Sequence, residues 1–112
     1  MKALVVDDSA VMRKVLIGAL SRANIQEVDQ AADGLDAVAA VKKDQYDLIL
    51  MDWNMPNLLG IDAVREIRAL GSQVPIIMVT TEAERCRVID ALKAGANNYI
   101  IKPFEPTTIV AK

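Results

Sequence analysis

The sequence predicts an α/β fold in which a doubly wound parallel sheet of five strands carries helices on both faces. Short apolar runs rich in β-branched residues recur along the chain, and segments of helical periodicity lie between them. The resulting order is strand then helix, five times, which is typical of parallel sheets joined by right-handed crossovers. The 112 residues are enough for one domain with one core.

The predicted strands are of two kinds. Four are continuous apolar runs, the pattern of strands buried on both faces: Ala3–Val6, Leu48–Met51, Ile76–Val79 and Tyr99–Ile101. A fifth segment, Glu27–Ala31, is more polar, and we expect it to be an edge strand.

The predicted helices show apolar residues at spacings of three or four. The stripes are Val11, Val15 and Ala19 with Met12, Leu16 and Leu20 beside them; Leu35, Val38 and Val41 after an Asp33-Gly34 start; Ile61, Val64, Ile67 and Leu70; and Val88, Ile89 and Leu92. Gly71 and Gly95 follow the third and fourth stripes, where a left-handed C-cap favours glycine. A fifth helix is expected to begin near Pro106 and to be cut short at Lys112.

Polar residues follow four of the five predicted strands. Asp7 and Asp8 follow the first strand, Asp52 the third, Thr80 the fourth and Lys102 the fifth. Ligands of such folds bind outside the carboxyl ends of the strands, so we expect these side chains to converge at one edge of the sheet.

Convergence of three carboxylates requires compensating positive charge. At about 4 Å and an effective dielectric constant near 20, each pair of like charges costs roughly 4 kcal/mol. Lys102 supplies one positive charge, and a set of oxygen ligands favours Mg²⁺ as a further cation. A carboxylate beside Mg²⁺ and a lysine is suited to accept a phosphoryl group, and Thr80 is placed to donate a hydrogen bond to it.

Each of these residues also has an ordinary structural interpretation. Asp7, Asp8 and Ser9 precede a helix and are suited to capping, as are Thr80, Thr81 and Glu82 before the fourth helix. Asp52 alone is a turn-former, and Lys102 alone an exposed lysine. The functional interpretation is favoured because successive strand ends carry complementary parts of one site.

Composition excludes several other functions. The chain contains no histidine, which excludes histidine-based catalysis and a phosphohistidine of its own, and the single Cys86 excludes an internal disulfide. A net charge of −2 gives no indication of a nucleic-acid or membrane partner. The first apolar run, of four residues, is too short for the core of a signal peptide, so we expect a cytoplasmic protein.

Over nearly its whole length the chain resembles the receiver domain of bacterial two-component response regulators. The resemblance rests on Asp7-Asp8, Asp52, Thr80 and Lys102-Pro103-Phe104, placed on five alternating strands and helices. The runs DWNMPN, TEAER and NNYIIKPF are most similar to those of single-domain chemotaxis regulators. The resemblance implies a flavodoxin-like sheet with strand order 2-1-3-4-5, and one receiver domain spanning residues 1–112.

The resemblance also implies a role for each site residue. Asp52 is the residue phosphorylated. Mg²⁺ is held by Asp8, Asp52 and the main-chain carbonyl of Asn54, with Asp7 acting through water. The remaining roles are stabilisation of the phosphoryl group by Lys102 and Thr80, a coupled switch of Thr80 and Tyr99, tuning of hydrolysis by Asn54 and Glu82, and a cis Lys102–Pro103 peptide bond.

The implied partners are a histidine kinase or phosphotransfer protein as donor, and an output partner on the face formed by the fourth helix, fifth strand and fifth helix. The expected function is a phosphorylation switch rather than enzymatic turnover, and motility control is one possible output. The alternatives are a receiver domain cut from a longer transcriptional or enzymatic regulator, a magnesium-dependent phosphohydrolase with an aspartyl nucleophile, and an interaction module that never takes phosphate.

Overall fold

A computed structural model describes residues 2–52, 60–81 and 92–102, and for residues 80, 81 and 98–102 it describes the main chain alone. Its five strands are β1 (Lys2–Val6), β2 (Glu27–Ala31), β3 (Leu48–Asp52), β4 (Ile76–Thr81) and β5 (Asn98–Lys102). The helices whose bounds fall within these residues are α1 (Ala10–Arg22), α2 (Gly34–Lys43) and α3 (Gly60–Ala69). The fifth predicted helix lies outside the described residues.

The strands form a single sheet in the order β2-β1-β3-β4-β5, and every pairing is parallel. The predicted fold class and the strand order implied by the resemblance are therefore confirmed, and the polar strand β2 is at an edge of the sheet. Because every pairing is parallel, the carboxyl ends of all five strands lie along one edge of the sheet.

The central strands supply side chains to two separate cores, one on each face of the sheet. Alternate residues of β1 and β3 point to opposite faces, so Leu4 and Ile49 pack with α2 and α3, whereas Val5 and Leu50 pack with α1. All four side chains are completely buried. Burial on both faces is the reason that these strands are continuous apolar runs.

Local signals begin and end the helices as predicted. The Asp33 carboxylate accepts a hydrogen bond from Asp36 N at 2.8 Å and caps α2. Ser9 caps α1 by accepting from Met12 N at 3.3 Å. Gly71 has a φ of 86° and Gly95 a φ of 124°, in the left-handed region that the C-cap prediction required.

The predicted apolar stripes are wrong in part about which residues are buried. Val11 is 73% exposed and Val15 46%, because α1 turns Leu16, Ala19 and Leu20 towards the sheet instead. The ends of stripes are also exposed: Leu35 lies in the first turn of α2 at 53%, and Leu70 follows the last residue of α3 at 48%. Within the described ranges, no helix has both the length and the apolar character needed to cross a membrane.

Candidate functional site

Strand register brings the acidic residues at the carboxyl ends of β1 and β3 to the same level of the sheet. Val6 pairs with Met51, so Asp7 and Asp52 are the next residues of two adjacent strands. Asp52 in turn pairs with Val79 of β4. The main chain alone therefore places these acids side by side at the carboxyl edge of the sheet.

The carboxylates of Asp7, Asp8 and Asp52 form a compact cluster. One oxygen from each lies within 4.8 Å of the other two. Asp7 is 1% exposed and Asp52 is 7% exposed, whereas Asp8 is exposed to solvent. Three like charges at this spacing, two of them buried, cost free energy unless positive charge balances them.

The cluster fits a small divalent cation. Mg²⁺ binds oxygen at about 2.0–2.1 Å, so two ligands on opposite sides of it are roughly 4.2 Å apart. The three carboxylate oxygens, all hard ligands within 4.8 Å of one another, match this span either directly or with a water molecule completing one contact.

The turn after β1 is held by several hydrogen bonds. Asp7 N donates to the carbonyl of Ala31 at 3.1 Å, and Asp7 Oδ1 accepts from Ser9 N at 2.9 Å. Arg13 Nη1 donates to the main-chain oxygen of Asp7 at 2.6 Å, and its Nε donates to Gln30 Oε1 at 3.0 Å. Sequence reasoning missed Arg13, since an arginine on an amphipathic helix gives no signal that its head group returns to the preceding strand.

Asp52 is held from the other side by a second residue that sequence reasoning missed. Gly60 begins α3, and a β-carbon built on it would overlap the main-chain oxygen of Asp52. The start of α3 therefore packs against the peptide group of Asp52 itself. The only sequence signal was a glycine at a helix start, which is too common to indicate a close contact.

The other predicted site residues are placed only in part. Thr80 follows the residue that pairs with Asp52, and Lys102 pairs with Thr81, so the main chains of both lie at the same edge of the sheet. Tyr99 lies within β5, where it pairs with Met78. Asn54, Glu82 and Pro103 lie outside the described residues, and so does the Lys102–Pro103 peptide bond.

A family model for the response regulator receiver domain matches residues 3–112. The chain is a response regulator receiver domain. It is 44% identical to the chemotaxis protein CheY1 of Helicobacter pylori strain J99, over all of this chain and 93% of that protein. It is 40% identical to the chemotaxis protein CheY-3 of Vibrio cholerae, over all of this chain and 88% of that protein.

Solved structures agree with this assignment. The receiver aligns with chemotaxis protein CheY4 of Vibrio cholerae at a TM-score of 0.89 and 36% identity, covering 98% of this chain and 92% of that one. It also aligns at a TM-score of 0.87 and 38% identity with the receiver domain of sensor histidine kinase PA1611 from Pseudomonas aeruginosa, covering 98% and 91%. That structure holds a magnesium ion coordinated in its active site cleft.

Proposed function

We propose that this receiver, spanning residues 1–112, accepts a phosphoryl group on Asp52 in a Mg²⁺-dependent reaction and changes its partner binding as a result. The observation that carries the proposal is the cluster of Asp7, Asp8 and Asp52 within 4.8 Å at the carboxyl edge of the sheet. Asp8, Asp52 and the main-chain carbonyl of Asn54 would hold the metal, and Asp7 would act on it through water. When bound, Mg²⁺ neutralises charge on the group being transferred.

The geometry favours Asp52 over its neighbours as the acceptor. Asp7 is almost fully buried, and its Oδ1 already accepts a hydrogen bond from Ser9 N. Asp8 lies in the turn between β1 and α1 rather than in a strand. Asp52 ends a central strand with its main chain packed against Gly60, so the backbone that carries its carboxylate is held in place at the edge of the sheet.

In the transfer step, an oxygen of the Asp52 carboxylate attacks the phosphorus of the donor. An acyl phosphate bond forms as the bond between phosphorus and the leaving group breaks. The leaving group is the histidine nitrogen of a kinase or phosphotransfer protein. Lys102 and Thr80 stabilise the transferred oxygens, and Asn54 and Glu82 tune later hydrolysis. The protein is a switch that is modified and then reset, not a turnover enzyme.

The output is a change in protein contacts. Thr80 moves towards the phosphoryl group, Tyr99 turns in step, and the face formed by helix four, strand five and helix five alters its affinity for a partner. Because the relatives at 40–44% identity are named chemotaxis proteins, we propose motility control in the cytoplasm as this output.

A second candidate output is control of an effector domain. The receiver also aligns, at a TM-score of 0.90 and 27% identity, with NtrX from Brucella abortus, where the match covers only 25% of that chain. Receivers of this fold therefore also occur within longer proteins. Binding of a flagellar or an effector partner, compared with and without phosphorylation, distinguishes the two outputs.

The proposal is tested by adding Mg²⁺ and acetyl phosphate to the protein and weighing it intact. We expect one added phosphoryl group and a change in the fluorescence of Trp53, which adjoins Asp52. Both are expected to disappear in Asp52→Asn and to persist in Asp62→Asn, which removes an exposed carboxylate of α3. An unchanged mass in the folded protein would favour an unphosphorylated interaction module, and turnover of a phosphate monoester would favour a phosphohydrolase.

A further inference from the structure

The position of Asp8 is set through its main chain. Among the side chains that the structure describes, those of residues 2–52, 60–79 and 92–97, none forms a hydrogen bond or ion pair with the Asp8 carboxylate, which is exposed. Its direction therefore depends on the orientation of the peptide group that joins it to Asp7. Any contact that fixes that peptide group also fixes where Asp8 meets the other two carboxylates.

One contact to that peptide group comes from Arg13. Its Nη1 lies 2.6 Å from the carbonyl oxygen of Asp7, which belongs to the peptide group preceding Asp8. Its Nε lies 3.0 Å from Gln30 Oε1, near the end of the neighbouring strand β2. A guanidinium offers several donors in a rigid plane, so the second bond restricts the direction of the first.

We infer that Arg13 is a positioning residue for the metal site: with Gln30, it orients the peptide group between Asp7 and Asp8 so that Asp8 joins the cluster ready to bind Mg²⁺. The inference rests on the proposed function, because it assigns a determinant of metal affinity at the same site. It adds a residue that touches neither the metal nor the phosphoryl group.

Electrostatics alone predicts the opposite sign. A positive charge next to the acidic cluster repels Mg²⁺, so removing it should strengthen metal binding if charge were the only role of Arg13. Loss of a positioning contact should instead weaken binding, because Asp8 would then have to be ordered when the metal binds. The direction of the change therefore separates the two roles.

The experiment measures the Mg²⁺ dissociation constant by calorimetry and by Trp53 fluorescence, and the metal-free melting temperature of each protein. Arg13→Met is expected to raise the dissociation constant roughly tenfold. Arg13→Lys, which keeps the charge but offers one donor nitrogen in place of the planar guanidinium, should recover part of that loss. Lys14→Met removes the adjacent exposed cation of α1 and should leave the constant equal or lower.

Gln30→Met provides a test in which the charge of Arg13 is kept. Gln30 is exposed, so this variant is expected to fold, and it should raise the dissociation constant roughly twofold or more. Unchanged or tighter Mg²⁺ binding in folded Arg13→Met would overturn the inference. If that variant does not fold, an unchanged constant in Gln30→Met overturns it. Failure of the unmutated protein to bind Mg²⁺ would instead contradict the proposed function.

Discussion

Gly60 lies directly against the main chain of Asp52. A β-carbon at Gly60 would overlap the carbonyl oxygen of Asp52 and would also approach Met78 Cε to 3.1 Å. The first residue of α3 and the last residue of β3 therefore share a contact that admits no side chain. It places the start of α3 beside the proposed phosphorylation site.

Gly60→Ala should destabilise the protein, although alanine is the better helix former. The propensity gain is at most about 1 kcal/mol, whereas overlap with a main-chain atom forces a backbone shift that costs roughly 1–3 kcal/mol or more, so we expect a net loss of stability. Gly18→Ala is the matched control, because Gly18 is inside α1 and has no atom within 4 Å of the added carbon. Urea unfolding should show Gly18→Ala more stable than the unmutated protein by about 0.5–1 kcal/mol. Stabilisation by both substitutions would contradict the close packing.

Asp8→Asn should stabilise the metal-free protein and abolish most of the stabilisation by Mg²⁺. Because Asp8 is exposed, water reduces its repulsion from each of the other two carboxylates to about 1 kcal/mol at low ionic strength, well below the value for a pair at an effective dielectric constant near 20. The two relieved pairs together exceed the roughly 0.3–1 kcal/mol that a carboxylate near a helix start contributes. The measurement is the melting temperature with and without about 10 mM Mg²⁺, because a metal ion that binds only the folded protein raises the melting temperature when it is in excess over its dissociation constant. Asp62→Asn, which instead breaks an ion pair of 3.2 Å with Arg65, should show no such metal-free gain and should keep the response to Mg²⁺.

Arg68→Met should cost roughly 2–4 kcal/mol of stability, because several charged hydrogen bonds are lost together. The Arg68 guanidinium donates to the carbonyl of Gly95 at 2.9 and 3.1 Å, to the carbonyl of Ser72 at 3.1 Å and to Asn97 Oδ1 at 2.9 Å. It thus joins the end of α3 to the segment before β5, and burial lowers its pKa. Arg65→Met, on the exposed side of the same helix, should change the unfolding free energy by less than about 0.5 kcal/mol. Equal effects of the two substitutions would refute this role of Arg68.

Tyr46→Phe should lower stability by about 1 kcal/mol near neutral pH, and the loss should shrink at both pH extremes. Tyr46 Oη donates to Asp29 Oδ2 at 2.7 Å. Burial, together with this bond, raises the pKa of Tyr46, whereas the bond is the main cause that lowers the pKa of Asp29.

The direction of each pH effect follows from the linkage between proton binding and folding. A raised phenol pKa stabilises the fold below about pH 10, and this contribution is lost as the pH rises further. A lowered carboxyl pKa stabilises the fold above about pH 4, and this contribution is lost as the pH falls. The unfolding free energies of the two proteins, measured from acid to alkaline pH, should therefore differ by a constant amount between about pH 4 and about pH 10, and by less outside this range. A difference that grows above pH 10 would contradict the assignment.

The position of the acidic cluster was predictable because it follows from strand ends. A parallel sheet brings the carboxyl ends of its strands to one edge, so residues such as Asp7 and Asp52, directly after apolar runs, had to approach one another once the sheet formed. The rotation of the helices was less predictable. Val11 and Val15 are apolar and regularly spaced, yet they are exposed, because the face a helix buries depends on how it docks on the sheet.

By itself, the sequence determined the alternation of strands and helices, the location of the site at the carboxyl edge of the sheet, and the acidic residues that lie there. These three features depend only on local sequence patterns and on the rule that the strands of a parallel sheet end at the same edge. Only the tertiary structure decided that Arg13 reaches the carbonyl of Asp7, that Gly60 packs on Asp52 and that Arg68 spans to Gly95. Each of these contacts joins residues through a long side chain or a close backbone approach. Neither leaves a periodic signal in the sequence, because both depend on the three-dimensional docking of one element on another.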